Sequence, residues 1–470
     1  MKMRHEHGAD SAVAPLTLRA AVVHDWFQGY HGAERVADVM RRDLFAPGDE
    51  ADVFTFHAAH ELLPPDLDSA IVRESSLARL PGIRQRGHEP GRWRYLLPYM
   101  PFYYRRLDLD AYDLVISSSH SCALNVRPRV DALHVVYCYT PMRYAWMPET
   151  DGRRLAGVRG GALRVATAGL REVDRRAAQR PDAFIAISTA VQERIERFYG
   201  RESTVIHAPV DVDDFTPQAE KQDGHFVWVH RLVPYKHPLL VAEAFRGLPY
   251  RLTMVGIGPL ERELRASLPP NVELRSWLSR EELADLYGSA IGFIHVGEED
   301  YGITMIEALA SGAPVIALDR GGARDIVRRD IDGILIREPA LGPLRYAIDE
   351  LVSRTWDPSA LALRAQAFSR SVFVERMVEF IRGLTGEARS GGSPVGSSED
   401  ADATSVDSEL RLGSGTRASM GRCVRDDPDC TSPYRGISLQ SFLDRSRRSS
   451  NAGEGSSSRC PRFASCLLSS

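Results

Sequence analysis

The chain contains 470 residues, of which 43% are hydrophobic and 26% charged, and its formal net charge is -4. This length exceeds what one hydrophobic core usually serves, so we predict two domains. The nearly balanced charge gives no general attraction to nucleic acid, and no apolar run reaches the roughly 18 residues of a membrane span.

Residues 1–17 mix charges of both signs without an apolar signal segment, so we expect a flexible N-terminus and a cytoplasmic location. Residues 18–207 alternate short apolar runs with helical stretches, which predicts an N-terminal Rossmann-like domain with a parallel sheet. The predicted strands are Leu18 to His24, Ala51 to Phe56, Leu114 to Ser117, His134 to Tyr137, Ala183 to Ile187 and Thr204 to His207.

Three motifs follow predicted strands of this first domain. In VVHDWFQGYHGAERV, Gly29 and Gly32 flank a loop that enters a helix, but the spacing is not the GxGxxG of dinucleotide-binding proteins. YDLVISSSHSCAL places His120 just past a strand end, and HVVYCYTPMRYAW carries Arg143 and Tyr144. Histidine, arginine and tyrosine serve both as ligand contacts and as packed residues, so both roles stay open.

Residues 84–106 interleave arginines with aromatic side chains in RQRGHEPGRWRYLLPYMPFYYRR. This composition suits a peripheral contact with anionic headgroups at the inner face of the cell membrane. Stacking on single-stranded nucleic acid uses the same residue types, and a helix pair packed on the core is a third interpretation. Because no nucleic-acid motif accompanies the segment, we prefer membrane proximity among the functional interpretations.

Residues 208–224 are polar and turn-rich and predict a linker to a second Rossmann-like domain over residues 225–370. A helix over residues 371–386 closes the folded part, and residues 387–470 are rich in Ser, Gly, Arg and Asp, which predicts a disordered tail. Predicted strands of the second domain are Phe226 to His230, Leu252 to Val255, Val272 to Arg275 and Ile291 to His295, and the helices between them are His237 to Phe245, Leu260 to Ser267 and Arg280 to Tyr287.

Two turns at strand ends of the second domain carry candidate site residues. RLVPYK sets Arg231 at a strand end and Lys236 at a helix start, where two cations can converge on a diphosphate. MVGIGPL places Gly256 and Gly258 after the next strand, although such glycine turns recur in many α/β proteins.

EEDYGITMIEALASGAP is the most informative segment because Glu299 and Glu307 lie on either side of a loop that becomes a helix. Gly302 allows a close approach of backbone to ligand, and Thr304 is predicted to cap the helix. The amides and dipole of a helix start favour a phosphate, and two carboxylates beside it can accept hydrogen bonds from neutral hydroxyls. A ligand with a phosphate and two sets of hydroxyls is a nucleotide sugar.

The segment resembles the Glu-x7-Glu signature of retaining family 4 glycosyltransferases, and ALDRGGARDIV resembles their second glycine turn. The resemblance extends from about residue 18 to 384 and implies a GT-B fold, with two Rossmann-like domains that face each other across a cleft. HDW, SSSH, RLVPYK and EEDYGI look most like GDP-mannose-dependent mannosyltransferases of bacterial polysaccharide synthesis.

The resemblance also implies roles for individual residues. Glu299 would hold the donor sugar, Glu307 the ribose, and Arg231 with Lys236 would neutralise the leaving diphosphate in place of a metal. His120 would polarise the reacting sugar, while His31 and Tyr139 stand where the family usually has glycine and histidine. We therefore predict catalytic residues His120, Arg231, Lys236 and Glu299, donor-binding residues Gly32, Gly256, Gly258, Gly302, Ile303, Thr304 and Glu307, acceptor-side residues Arg143 and Tyr144, and no metal or cofactor.

The expected activity is metal-independent transfer of a hexosyl group, retaining configuration, to a glycan or lipid-linked oligosaccharide. We expect the donor to be GDP-mannose. A sugar-nucleotide epimerase of the same fold and a non-catalytic nucleotide-sugar-binding protein are the alternatives. An epimerase would alter its substrate without an acceptor.

Overall fold

The structure is a computed structural model that describes residues 13–83, 85, 91–147, 157–218 and 221–386. The predicted disordered tail and residues 1–12 of the predicted flexible N-terminus lie outside these residues. Within the described ranges, no helix combines the length and the apolar character needed to cross a bilayer.

The first half of the chain forms a sheet of seven parallel strands in the order β3-β2-β1-β4-β5-β6-β7. Strands β1 and β4 lie at its centre and are buried on both faces, as is usual in a parallel sheet that helices cover. The strands are β1 (Ala20–His24), β2 (Asp52–Thr55), β3 (Ile71–Arg73), β4 (Leu114–Ser119), β5 (Leu133–Cys138), β6 (Ala183–Ala186) and β7 (Thr204–Val205).

Helical crossovers connect these strands, as parallel pairing requires. The last of them begins where the Ser188 side chain accepts a hydrogen bond from the Val191 amide and ends at Gly200, with φ 64°. The helices are α1 (Gly32–Asp43), α2 (Pro65–Ala70), α3 (Met100–Tyr104), α4 (Arg143–Trp146), α5 (Gly157–Ala177) and α6 (Thr189–Tyr199).

The second half forms a sheet of six parallel strands in the order β10-β9-β8-β11-β12-β13. Its strands are β8 (His225–Val229), β9 (Arg251–Val255), β10 (Val272–Arg275), β11 (Gly292–His295), β12 (Val315–Leu318) and β13 (Gly333–Ile336). Its helices are α7 (Pro238–Phe245), α8 (Glu261–Ser267), α9 (Arg280–Ser289), α10 (Ile303–Ala310), α11 (Ala323–Ile326), α12 (Leu341–Ser353) and α13 (Pro358–Gln366).

The predicted pair of doubly wound parallel sheets is therefore confirmed. In both sheets the strand order reverses beside the first strand of the series, β1 or β8, and ligands of such sheets bind at the carboxyl ends of strands near this point. The sequence analysis did not identify β3, β12, β13 or the long helix α5. The three missed strands have only three or four residues, and such short runs give weak periodic signals.

The last helix, α14 (Arg370–Thr385), packs against the first half of the chain. The Arg370 guanidinium donates to Asp43 Oδ1 at 2.8 Å, and the rings of Phe373 and Tyr137 lie 5.8 Å apart. Arg382 also donates to the Ala14 carbonyl. The chain thus leaves the second sheet and ends its described part on the first.

Candidate active site

The loop between β11 and α10 carries most of the predicted donor-side residues. Gly302 has φ 124°, and a Cβ at this position would lie 2.2 Å from Met305 Cε, so the turn requires glycine. The helix begins at Ile303, which leaves its first amides free of helical partners. The predicted cap by Thr304 is wrong, because this residue lies in the first turn and its buried hydroxyl finds no hydrogen-bond partner among the described residues.

Glu307 lies one turn further along α10 and is buried. The Tyr287 hydroxyl donates to Glu307 Oε2 at 3.4 Å. Burial raises the pKa of Glu307 to about 7, against smaller opposing effects from Arg280, Tyr287 and Arg35. A carboxylate with so little solvation gains from a hydroxyl donor supplied by a ligand.

Lys236 lies at the end of a short 3-10 turn that follows β8, and its side chain is only 3% exposed. Its ammonium forms an ion pair with Glu299 Oε1. Burial, together with the positive charges of Arg143 and Arg231, lowers the pKa of Lys236 well below its ordinary value. The fold thus brings three predicted catalytic residues, Arg231, Lys236 and Glu299, to one place.

Two histidines that the sequence analysis did not select lie beside this ion pair. The rings of His230 and His295 are 4.4 Å apart, and His295 Nε2 lies 3.5 Å from Glu299 Oε2. Within the described part of the chain, His230 Nε2 and His295 Nε2 lack hydrogen-bond partners. Burial lowers the pKa of both histidines. Both histidines lie at or just after the ends of β8 and β11, and this position is the sequence feature that could have marked them as site residues.

These two histidines and Glu299 could hold a metal ion, because their ligand atoms all lie within 4.8 Å of one another. Two imidazoles and one carboxylate are a ligand set that zinc uses in proteins. In this structure, however, Lys236 already neutralises the Glu299 carboxylate. A divalent cation would have to bind next to that ammonium.

The predicted glycine turn after β9 packs tightly on the segment that precedes Lys236. Gly256 has φ 155°, and a Cβ there would lie 1.8 Å from the His230 carbonyl oxygen. A Cβ on Gly258 would lie 2.5 Å from the Leu232 carbonyl oxygen. Both glycines are therefore required by backbone packing around the cation-bearing turn, whether or not they touch a ligand.

In the first half of the chain, Asp25 organises the loop that carries His120. Its buried carboxylate accepts hydrogen bonds from the amides of His120, Ser121, Cys122 and Ala123 at 2.6–2.8 Å. His120 Nδ1 lies 3.4 Å from Asp25 Oδ2, and burial lowers the pKa of the imidazole. Asp25 was quoted in the HDW motif but received no role, because nothing local pairs it with a loop 95 residues away.

Tyr139 stands where the resembled family usually has a histidine, and its side chain is buried in the first half of the chain. Its hydroxyl lies 2.9 Å from Ser118 Oγ and donates to the Ala33 carbonyl at 3.0 Å. His24 Nδ1 lies 2.9 Å from the same serine oxygen. This network ties β5 to β4 and to the start of α1, so Tyr139 acts as a packing residue here.

The two halves of the chain meet at the predicted site. A Cβ on Gly32, at the start of α1, would lie 3.7 Å from Ile303 Cδ1 at the start of α10. Asp300, next to Glu299, accepts a hydrogen bond of 2.5 Å from Arg143 and another from Arg194. Although burial opposes it, these two cations lower the pKa of Asp300. Asp300 was not predicted as a site residue.

The two predicted acceptor-side residues make internal contacts in this conformation. Arg143 is engaged with Asp300, and the Tyr144 hydroxyl lies 2.5 Å from Ser121 Oγ. Both side chains are partly buried. Their acceptor role remains a prediction.

The aromatic and basic segment over residues 84–106 is split between core and surface. Residues 84 and 86–90 lie outside the described residues. Trp93 and Tyr104 are fully buried, whereas Tyr95 is 82% and Phe102 53% exposed. Packing on the core thus accounts for some of the aromatic side chains and leaves others free for a partner.

Comparisons with known proteins bear on the family and the fold. A family model described as Glycosyl transferases group 1 matches residues 211–368, and one described as Glycosyltransferase Family 4 matches residues 30–214. HepE from Anabaena in complex with UDP has 18% sequence identity and a TM-score of 0.57, over 78% of this chain and 100% of that one. Sucrose-phosphate synthase from Thermosynechococcus elongatus has 17% identity and a TM-score of 0.59, with the same coverage. These structures support the predicted GT-B fold.

Curated relatives match over shorter segments. A GDP-mannose-dependent alpha-mannosyltransferase of Mycobacterium tuberculosis (strain CDC 1551 / Oshkosh) is 32% identical over 34% of this chain and 46% of the relative. Its counterpart in Mycolicibacterium smegmatis is 35% identical over 38% and 49%. A D-inositol 3-phosphate glycosyltransferase of Mycobacterium sp. (strain JLS) is 30% identical over 32% and 39%. The match thus spans about half the length of these relatives or less.

Proposed function

The chain belongs to the family 4 glycosyltransferases of GT-B fold, and from this we propose that it transfers a mannosyl group from GDP-mannose to a glycan or lipid-linked oligosaccharide. We further propose that the anomeric configuration is retained and that no metal is required. The mannosyltransferase relatives and the motifs of this chain support the donor. The D-inositol 3-phosphate glycosyltransferases among the relatives are named for a different acceptor.

The observation that carries the proposal is the Lys236–Glu299 ion pair beside the open start of α10. Free amides at a helix start bind phosphate, and the leaving diphosphate gains negative charge in the transition state. On donor binding, Lys236 would turn from Glu299 to the diphosphate, with Arg231 beside it. The carboxylate of Glu299 would then accept hydrogen bonds from the hydroxyls of the sugar.

His120 supplies a hydrogen-bonding group from the opposite half of the chain. Because burial lowers its pKa, the imidazole is neutral near pH 7 and can donate through one nitrogen and accept through the other. Asp25 holds the backbone of the loop that carries it. In the proposed reaction, His120 orients the reacting sugar and the acceptor hydroxyl approaches on the face from which the diphosphate leaves.

A donor panel tests this function directly. We expect GDP-mannose to raise the melting temperature more than UDP or ADP sugars do, because a ligand selective for the native state stabilises it. With an oligosaccharide acceptor and EDTA present, the product should carry an α-linked mannose by NMR. Modified nucleotide sugar formed without an acceptor would instead identify an epimerase, and a thermal shift without any product would identify a binding protein.

Glu307→Ala should weaken GDP-mannose binding about 10- to 100-fold, because one hydrogen bond to a charged group contributes about this factor to affinity. Titration calorimetry measures this affinity, and Glu298→Ala, which removes a half-exposed carboxylate of the same loop, is the matched control. Because the pKa of Glu307 is raised to about 7, ionisation between pH 6 and 8 makes the side chain a better acceptor. The gap between wild type and variant should widen over that range, and equal affinities would remove the ribose assignment.

A further inference from the structure

A cavity opens at the carboxyl end of β3, and none of its lining residues belongs to the loop between β11 and α10. Its volume is about 550 Å³. Its lining includes three arginines, two serines and two tyrosines, which are donors suited to an anion. These are Arg73, Arg79, Arg106, Ser75, Ser76, Tyr99 and Tyr103.

The only acidic residue in the lining, Glu74, is occupied by the protein itself. Glu74 Oε1 accepts from the Ala58 amide at 2.9 Å, and Oε2 accepts from Arg79 Nε at 2.6 Å. Although burial opposes it, hydrogen bonds from His57, His60 and Arg79 lower the pKa of Glu74. The carboxylate therefore neutralises Arg79 and leaves the charge of the other two arginines uncompensated.

Arg73 and Arg106 make the cavity positive. Both are exposed, and among the described residues neither forms a salt bridge. Tyr103 donates its hydroxyl to the Thr55 carbonyl at 2.8 Å, which fixes that wall of the cavity. Two free guanidinium groups on a fixed frame favour a phosphate or diphosphate over a neutral ligand.

Two exposed apolar side chains, Val72 and Tyr99, line this basic cavity, and others lie near its lining residues in sequence. Of the 15 large hydrophobic side chains exposed in the described part of the chain, five lie between residues 72 and 102. Val72 is 51%, Leu80 48% and Phe102 53% exposed. A soluble phosphorylated sugar would leave these groups in water, whereas a phosphate attached to a lipid would cover them.

The cavity and His120 both lie at the carboxyl-terminal ends of strands in the first sheet. Strands β3 and β4 are separated by β2 and β1 in one parallel sheet, and three strand spacings of about 4.8 Å place their ends about 14 Å apart. Helix α3 spans this interval: Tyr103 lines the cavity, while the Tyr104 hydroxyl donates to the Asp25 carbonyl at 2.6 Å. A short oligosaccharide can bridge such a distance.

We propose that this cavity binds the phosphate or diphosphate of a lipid-linked saccharide acceptor, whose sugar end reaches His120. The inference rests on the proposed function and adds the site and the chemical class of the acceptor. It also gives Arg106 and the exposed Tyr99 and Phe102 a common role.

Vesicle co-sedimentation with the full chain tests the site. The probes are phosphatidylcholine vesicles that contain a minor fraction of polyprenyl phosphate, and vesicles in which phosphatidylglycerol supplies the same charge. Wild type should prefer the polyprenyl phosphate vesicles. Arg73→Gln with Arg106→Gln should lower this binding about 30-fold, since each basic side chain near an anionic membrane contributes a factor of about five.

The matched control is Arg251→Gln with Arg262→Gln, which removes one exposed arginine of β9 and one of α8 in the second half of the chain and should leave binding unchanged. The proposal would be overturned if wild type bound both vesicle types equally. It would also be overturned if the Arg73/Arg106 variant bound the polyprenyl phosphate vesicles as strongly as wild type does. Stabilisation by soluble D-inositol 3-phosphate without vesicle binding would overturn the lipid-linked occupant. Thermal shifts with GDP-mannose should be the same in all variants, and a failure of that shift in wild type would count against the proposed function instead.

Discussion

Lys236→Ala should lower the rate of transfer about 100- to 1000-fold while GDP-mannose affinity changes much less. A preorganised cation opposite charge that develops in the transition state typically contributes this much. The Lys236 side chain is already buried, and the charge of Arg231 acts on it. Its ammonium therefore works in surroundings of low dielectric constant, where charge interactions are strong. The effect on rate is measured as turnover at saturating donor, and the effect on donor affinity is measured by titration calorimetry on the same preparations.

Lys236→Met controls for lost volume, because it keeps an unbranched apolar stem without the charge. The alanine and methionine variants should lose similar rate if the ammonium is the important group. Thermal melts will report whether Glu299, left without its partner, destabilises the fold. A variant that loses donor affinity in full proportion to rate would show that Lys236 binds the ground state and the transition state equally.

Asp25→Asn should lower the free energy of unfolding by about 3 kcal/mol, since a buried carboxylate that accepts several amides cannot be replaced without leaving donors unpaired. Urea denaturation measures this change. The exposed Asp108→Asn is the control and should stay within about 0.5 kcal/mol of wild type. Transfer should also fall in Asp25→Asn, because the loop that holds His120 loses its anchor.

The effect on His120 can be distinguished from general destabilisation. Under conditions where the Asp25→Asn variant is fully folded, donor affinity should remain close to that of wild type, while the rate falls. Wild-type rate in the folded variant would mean that Asp25 serves stability alone. Loss of donor affinity would instead show that the His120 loop contributes to binding of the donor before the reaction as well as to the rate.

Much of the fold was accessible from local patterns. Strands such as β1 and β8 read as short apolar runs, and α9 begins with a capping box between Ser279 and Glu282. These signals depend on neighbours a few residues away. The three-residue strand β3 carries two exposed side chains and shows no such pattern, and it is the strand whose end forms the basic cavity.

The family motifs, the alternation of strands and helices, and the turns that bear Arg231, Lys236 and the two glutamates could all be recognised in the sequence. These features depend on backbone geometry and residue type within one turn or strand. The contact of Lys236 with Glu299, the hold of Asp25 on the loop of His120, and the meeting of two histidines at the ends of adjacent strands became visible in the folded chain. Such contacts join residues 63 to 98 positions apart, where the packing of the sheets, and no local periodicity, sets the distance.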